Sequence, residues 1–572
     1  MKEHRKTGHN VLHLLYPIRK KNESNCKNKG SLEGLLTRLQ FERFGCSADN
    51  PSKENKNNIF SVYPSTFKKN EVFVQDSHSY WISEKQVAEY FHPTVQGSLF
   101  RSGNLKKYRK IEGEIFIADL KNPDHQEDNT KNQHTIAFQW LATEIYVFNE
   151  DYAFLVVRLS LLENVSVDKN DIESSLRQPY PQPVQSLNIW MKFANRVRQN
   201  YKKYATQPKL QITHAFNEEK QEVMKVEESS FFNYLEKHYK DLFAKYAISN
   251  VDLNGQGELE LPQRIEPNAF LYAFVQTDST EPLTNNELNQ LIHIDDYDGE
   301  SGSTPEFIDE FVNRHLYKRW ISYGTYTTAI DYGSITISQN RSFVYSFRKS
   351  DLYKQSFPNL LIQHYSRIYL LFIVLLLYYR EQLQDLLGRY ALLGEEFLEE
   401  SAKDILKDYY KLNQIYFFRW ISQEIQGIEM WKFLYEIFGI EELYQSVVHD
   451  MQELNQRLIE KHTKKQEQEQ QVQSKEIRTL TILAAFTGLL GINLIVPNFE
   501  NDLSGIVNRL LSNKFWDFSD YKNDIRTVTS YTFYSISIII IFYITFFFAR
   551  KLVKWIVNKY KSIFNKNRGA NK

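Results

Sequence analysis

The run "HIDDYDGES", His293 to Ser301, places Asp295, Asp296, Asp298 and Glu300 within six residues. Carboxylate oxygens at that density suit a divalent cation such as Mg2+. A solvated acidic loop accounts for the same pattern. A second run, "NVDLNGQGELEL" from Asn250 to Leu261, sets Asp252, Asn254 and Gly255 near the spacing of a calcium loop. Leu261 stands where such a loop needs a bidentate carboxylate, and an Asn-Gly turn explains the rest. Other chemistries lack their residues. The 14 His are scattered, with no His-Glu-x-x-His. No Ser sits in Gly-x-Ser-x-Gly, and no phosphate-cradling glycine loop occurs. The expectation is a protein that is not an enzyme.

The elements that would position these residues come from composition and periodicity. The chain has 572 residues, enough for roughly three to four domains. Lys+Arg and Asp+Glu balance at 70 each, so no global field attracts nucleic acid, and no direct nucleic-acid binding is expected. Cys26 and Cys46 are the only cysteines, which fits a reducing compartment. No secretory signal is read in the first residues. Residues 1–58 are rich in Lys, Asn and Ser and read as a basic, mostly mobile arm. Residues 59–350 mix aromatic, β-branched runs such as "GEIFIADL", "HTIAFQWLATEIYVFN", "YAFLVVRLSLL" and "NAFLYAFVQTD" with helical patterns. This predicts an α+β domain. Residues 351–477 read as helical. There, "RIYLLFIVLLLYYR" from Arg367 to Arg380 is too short to span a bilayer easily and predicts a buried helix.

Two longer apolar runs follow. Thr479 to Val496 is eighteen residues without a charge, and Tyr531 to Ala549 is nineteen. At 1.5 Å per residue the first is about 27 Å of helix, close to the hydrocarbon thickness of a bilayer. The runs predict crossings within residues 478–497 and 529–549, joined by a loop over 498–528. Lys464, Lys465, Lys475 and Arg478 precede the first run, and Arg550, Lys551, Lys554, Lys559 and Lys561 follow the second. The positive-inside rule then puts both termini, including the basic tail 550–572, in the cytoplasm. Ahead of the first run, Ile440, Tyr444, Val447, Met451, Leu454 and Leu458 step by four and three. That is a heptad seam, serving either a bundle of stalk helices or the helix's own domain.

A large cytosolic domain, a long helix running into a first crossing, a second crossing and a basic tail resemble the layout of CorA-type cation channels. That family closes its first crossing with Gly-Met-Asn; here Gly491, Ile492 and Asn493 stand at the matching place. The resemblance implies an α+β cytosolic domain, a long-helix stalk and a two-helix transmembrane hairpin. It implies a homopentamer in the lipid bilayer of a prokaryotic inner membrane. It also implies a ring of Asn493 carbonyls around a hydrated Mg2+ or other divalent cation. Thr481, Ala484, Gly488 and Gly491 supply a stripe of small residues that lines a pore or packs helices closely. Ile492 in place of Met, and the long loop after the tripeptide, depart from the family.

A fainter likeness concerns "RHLYKRWISYGTYTTAIDYGSITIS" followed by "LIQHYSRIYLLFIVLLLYYREQL". It resembles the CorA-like proteins encoded beside type III CRISPR systems, in which a nucleotide messenger opens the membrane part as an antiviral defence. The likeness implies an adenylate-type or cyclic nucleotide ligand, with Arg319, Trp320, Tyr323, Gly324 and Thr325 as ligand-facing residues. Aromatics stack on a base and Arg holds phosphate. Two alternatives stand beside a nucleotide-gated channel: a housekeeping divalent-cation transporter, and a membrane-anchored signalling module without conductance.

Overall fold

Alternating apolar residues in the strands meet two sets of amphipathic helices, one on each face of a single sheet. The computed structural model describes residues 6–20, 31–44, 87, 89–120, 135–149, 152–161, 185–198, 210–217, 222–228, 230–248, 269–277, 279–294, 303–339, 364–393 and 399–495, and single positions 535, 539, 543, 546, 547 and 550. The chain divides into two compact units, Met1–Leu458 and Ile459–Lys572.

Among the described residues of the first unit, fourteen strands make one mixed sheet. They are β1 (Lys6–Lys20), β2 (Glu42–Phe44), β3 (Lys106–Ile111), β4 (Ile115–Asp119), β5 (Thr135–Val147), β6 (Tyr152–Leu161), β7 (Gln185–Ser186), β8 (Gln211–Asn217), β9 (Glu222–Glu228), β10 (Tyr246–Ile248), β11 (Phe270–Thr277), β12 (Leu316–Tyr317), β13 (Thr325–Ile330) and β14 (Gly333–Gln339). The main path runs β12-β13-β14-β11-β1-β6-β5-β4-β8-β9. Among the described strands, only β11 with β14 is a parallel pair. β1 falls in the stretch expected to be a mobile arm, yet it lies at the centre of the sheet, between β6 and β11. Its "VLHLLYPI" core puts Leu12, Leu14, Tyr16 and Ile18 on one face and Val11 and Leu15 on the other. The basic residues around that core masked the strand signal. β6 is buried at nearly every position because both faces of the sheet are covered.

One face is covered by α1 (Leu32–Arg38), α2 (Leu187–Val197), α3 (Phe231–His238), α4 (Lys240–Lys245), α5 (Asn285–His293) and α6 (Pro305–His315). Side chains cap most of these helices at their N-termini. Ser186 and Ser230 cap α2 and α3, and Thr284 with Glu287 forms a capping box on α5. Thr304 caps α6 with Pro305 at the first helical position. The opposite face is covered by α7 (Leu370–Ala391), α8 (Glu399–Lys411), α9 (Ile425–Ile437) and the beginning of α10 (Ile440–Ile495). Every residue of α7 from Leu370 to Tyr379 is buried, so this run is a core helix. Each such Leu, Ile or Phe contributes about 1.5–3 kcal/mol of burial free energy before entropy is counted.

The helical layer contains three π-helical turns: Gln96–Arg101, His364–Tyr369 and Leu412–Tyr416. Side chains bond carbonyls in or beside these wide turns. Tyr272 Oη donates to Tyr365 O at 2.7 Å, Arg158 Nη2 to Ser366 O at 3.0 Å and Ser98 Oγ to Ile415 O at 2.5 Å. Two of these donors come from sheet strands, which ties the His364–Tyr369 turn to the sheet.

The heptad seam is used inside the chain. Ile440, Val447, Met451, Leu454 and Leu458 are buried against their own domain, and the Tyr444 ring stacks on Phe417 at 4.3 Å. The seam is therefore an apolar face docked on the apolar cluster of its own domain and is not free to bundle stalks.

The expected two-helix transmembrane hairpin, and with it the multi-pass inner-membrane location, is overturned. Among the described residues, no helix is long and apolar enough to cross a membrane. A crossing needs about 20 apolar residues. The apolar half of α7 is covered by the sheet, and its other half carries Arg380, Glu381, Asp385 and Arg389. The loop over 498–528 and the tail after Arg550 lie outside the described residues, as does nearly all of the run from Tyr531 to Ala549.

Candidate ligand-binding site

The link from β12 to β13 is a short 3-10 turn, Ile321–Tyr323, closed by Gly324 at φ 80°. A side chain is disfavoured there, and Gly is the residue that turns at little cost. Gly324 N donates to Ile321 O at 2.9 Å and Thr325 N to Trp320 O at 3.1 Å. The turn thereby presents Arg319 and Tyr323 outward, while Trp320 is half-buried and packs on the apolar cluster beneath it. The Tyr323 ring is 42% exposed and lies 5.8 Å from Trp320. The Arg319 guanidinium sits 5.2 Å from the Trp320 ring. Thr325 is buried in the strand. Three of the five residues expected to face a ligand share this surface, while Gly324 and Thr325 shape it.

Arg319 already holds an anion. Its Nη1 donates to both carboxylate oxygens of Glu429 on α9 at 2.7 Å. Tyr317 Oη donates to Glu429 Oε2 at 2.9 Å. The hydrogen bond from Arg319, with a smaller one from Tyr317, holds the Glu429 carboxyl below its ordinary range. Burial and the Glu429 carboxylate push the Tyr317 hydroxyl up.

Further in, between sheet and helices, lies a polar network. Tyr365 Oη and Thr327 Oγ1 are 3.0 Å apart, and Thr336 Oγ1 donates to Thr327 Oγ1 at 3.0 Å. His13 pairs across the ladders with Arg158 on β6 and Tyr272 on β11. Its Nδ1 lies 3.1 Å from Tyr272 O, and its Nε2 has no hydrogen-bond partner among the described residues. Burial, then the Arg158 charge, pushes His13 down to about 3, so the ring is neutral and Nδ1 carries the proton toward the carbonyl. Glu144 accepts from Arg109 Nη2 at 2.6 Å, Arg158 Nη2 at 3.1 Å and Tyr146 Oη at 2.7 Å. Burial alone would raise the Glu144 carboxyl; the two guanidinium groups outweigh it and hold it far below its usual range. Sequence reading passed over this network. Its signal was a single charge inside each of two apolar strands, "WLATEIYV" and "LVVRLSL".

The other expected sites fall largely on residues that are not described. Asp295, Asp296, Asp298 and Glu300 lie outside the described residues, and so do Asp252, Asn254 and Gly255. No group of three or more His, Cys, Asp or Glu that could hold a metal occurs among the described residues. Thr481 is exposed on α10, its Oγ1 donating to Ile477 O at 2.9 Å. Gly488, Gly491, Ile492 and Asn493 fall within α10, but their surroundings are outside the described residues.

The turn can chemically do one thing well: present a cation and two aromatic faces to a planar anionic molecule. The comparisons add no relative to that geometry, since no family model, no curated protein and no solved structure matches the chain.

Proposed function

We propose that the chain is a ligand-responsive signalling protein whose β12–β13 turn takes an adenylate-type or cyclic nucleotide. Trp320 and Tyr323 stack on the base, and Arg319 holds a phosphate. The observation that carries this reading is the Arg319–Glu429 pair. Glu429 occupies the guanidinium as a phosphate would, and it belongs to α9, which leads through Gly439 at φ 61° into α10. A nucleotide phosphate competes with Glu429, and its binding uncouples α9 from the β12–β13 turn. That loosening is the signal. Ion passage would need crossings that the described helices lack.

Titration calorimetry with AMP, cyclic AMP and short oligoadenylates tests it, with adenosine and inorganic phosphate as controls. Binding that needs both base and phosphate, and that Arg319→Ala weakens by about tenfold or more, is the expected result. Absence of heat with every nucleotide, or equal affinity in Arg319→Ala, sinks it.

A further inference from the structure

On the face of the sheet that α7 covers, His13 of β1 stands opposite Arg158 of β6 and Tyr272 of β11. Residues directly across a ladder share a face, so the three side chains form one row. Both neighbours of His13 reach the same π-helical turn. Arg158 Nη2 donates to Ser366 O at 3.0 Å, and Tyr272 Oη donates to Tyr365 O at 2.7 Å. An imidazole is shorter than an arginine arm or a phenol, so His13 stops below the turn that its neighbours touch. Its ring lies tilted beside the Tyr272 ring at 5.6 Å. His13 and Ser366 are each 1% exposed. Neither His13 Nε2 nor Ser366 Oγ has a hydrogen-bond partner among the described residues.

The chemistry open to these two atoms is narrow. His13 Nδ1 faces the Tyr272 carbonyl oxygen at 3.1 Å, so Nδ1 carries the proton and Nε2 is a bare acceptor. Nε2 sits across the ring, turned away from the β11 backbone. Whatever meets it has to donate. It has to be neutral as well, because burial, and then the Arg158 guanidinium, oppose a positive charge there. It also has to accept the Ser366 hydroxyl proton. And it has to be small, since Val156, Phe274, Tyr365 and Ile368 are all buried in the same layer.

We propose that His13 and Ser366 form a binding site for one water molecule, which donates to His13 Nε2, accepts from Ser366 Oγ and so joins the central strand to the turn that opens α7. Water is the smallest neutral molecule that both donates and accepts, and a buried water typically makes about three hydrogen bonds to groups of this kind. A buried acceptor left unpaired is costly, which drives the site to fill. Tyr272, Arg158 and the water then tie β11, β6 and β1 to two successive residues of the turn, Tyr365 and Ser366.

A high-resolution crystal structure of the full chain tests this. One water at about 2.7–3.2 Å from both His13 Nε2 and Ser366 Oγ is the expected result. Ser366 Oγ bonded directly to Nε2, another side chain on Nε2, or no electron density between the two atoms overturns the proposal. A solution measurement needs no crystal: the full chain is labelled at histidine Cε1, and the nuclear Overhauser effect from the His13 Cε1 proton to water is recorded. A cross-peak of the sign given by a long-lived water is expected, and it is expected to survive in Ser366→Ala. Its absence in the wild type, or its loss in Ser366→Ala, which would assign it to the serine hydroxyl, overturns the proposal.

Discussion

Arg158 Nη2 lies 3.1 Å from Glu144 Oε1 and 3.0 Å from the carbonyl oxygen of Ser366, so one guanidinium joins β6, β5 and the π-helical turn before α7. Arg109 Nη2 shares the same Glu144 oxygen at 2.6 Å. Removing the carboxylate leaves two cations facing each other out of water. Glu144→Gln is therefore expected to cost about 3–5 kcal/mol in a guanidinium unfolding curve. Replacing all three partners together, Arg109→Met, Glu144→Leu and Arg158→Met, is expected to cost less than Glu144→Gln alone, since no buried charge is left unpaired. A triple variant worse than the single one would show that the network is stabilising on its own account.

The α10 seam gives a second expectation. Leu454 is fully buried against its own domain. Leu454→Ala is expected to destabilise the first unit by about 2–5 kcal/mol. Its molar mass by light scattering is expected to equal that of the wild type. A fall in mass would mean that the seam also joins copies.

Acid stability follows from the buried imidazoles. Burial pushes His13 down to about 3 and His238 to about 4. A histidine lowered by folding gives stability that is complete above its ordinary value of about 6.5 and lost as pH falls toward the lowered one. The denaturant midpoint should thus fall as pH drops from about 6.5 to about 4.5. Glu144, held low by its arginines, adds its own loss only below the ordinary carboxylate range. His238→Gln is expected to flatten the upper part of that decline, and an unchanged decline would assign it to other groups.

The Arg319–Glu429 pair gives a prediction with the opposite sign to most substitutions. Both side chains are partly exposed, and each satisfies the other. Glu429→Gln removes the internal competitor and is expected to raise nucleotide affinity several-fold. Trp320→Ala is expected to lower it by stacking loss of about 1–3 kcal/mol. Calorimetry on both variants checks the two signs together.

At the turn itself, Gly324 holds φ 80°. Gly324→Ala is expected to cost about 1 kcal/mol from the left-handed backbone. It should shift the melting midpoint without removing the Arg319–Glu429 contact, which a crystal structure of the variant would show.

Local order was legible in the sequence. The aromatic and β-branched runs became β4, β5, β6 and β11, and the Ser and Thr caps began α2, α3, α5 and α6. Arg319, Trp320 and Tyr323 lie close together because they are neighbours on one short turn. Periodicity tells which face of an element is apolar, but not what covers it. For that reason the heptad steps from Ile440 to Leu458 did not reveal that the seam closes on its own domain, and the basic surroundings of Val11–Ile18 hid the central strand. Only the tertiary structure put Glu429 on Arg319 and Glu144 between Arg109 and Arg158. Those contacts depend on strand register and on which helices pack across the sheet, which long-range burial decides and local pattern does not.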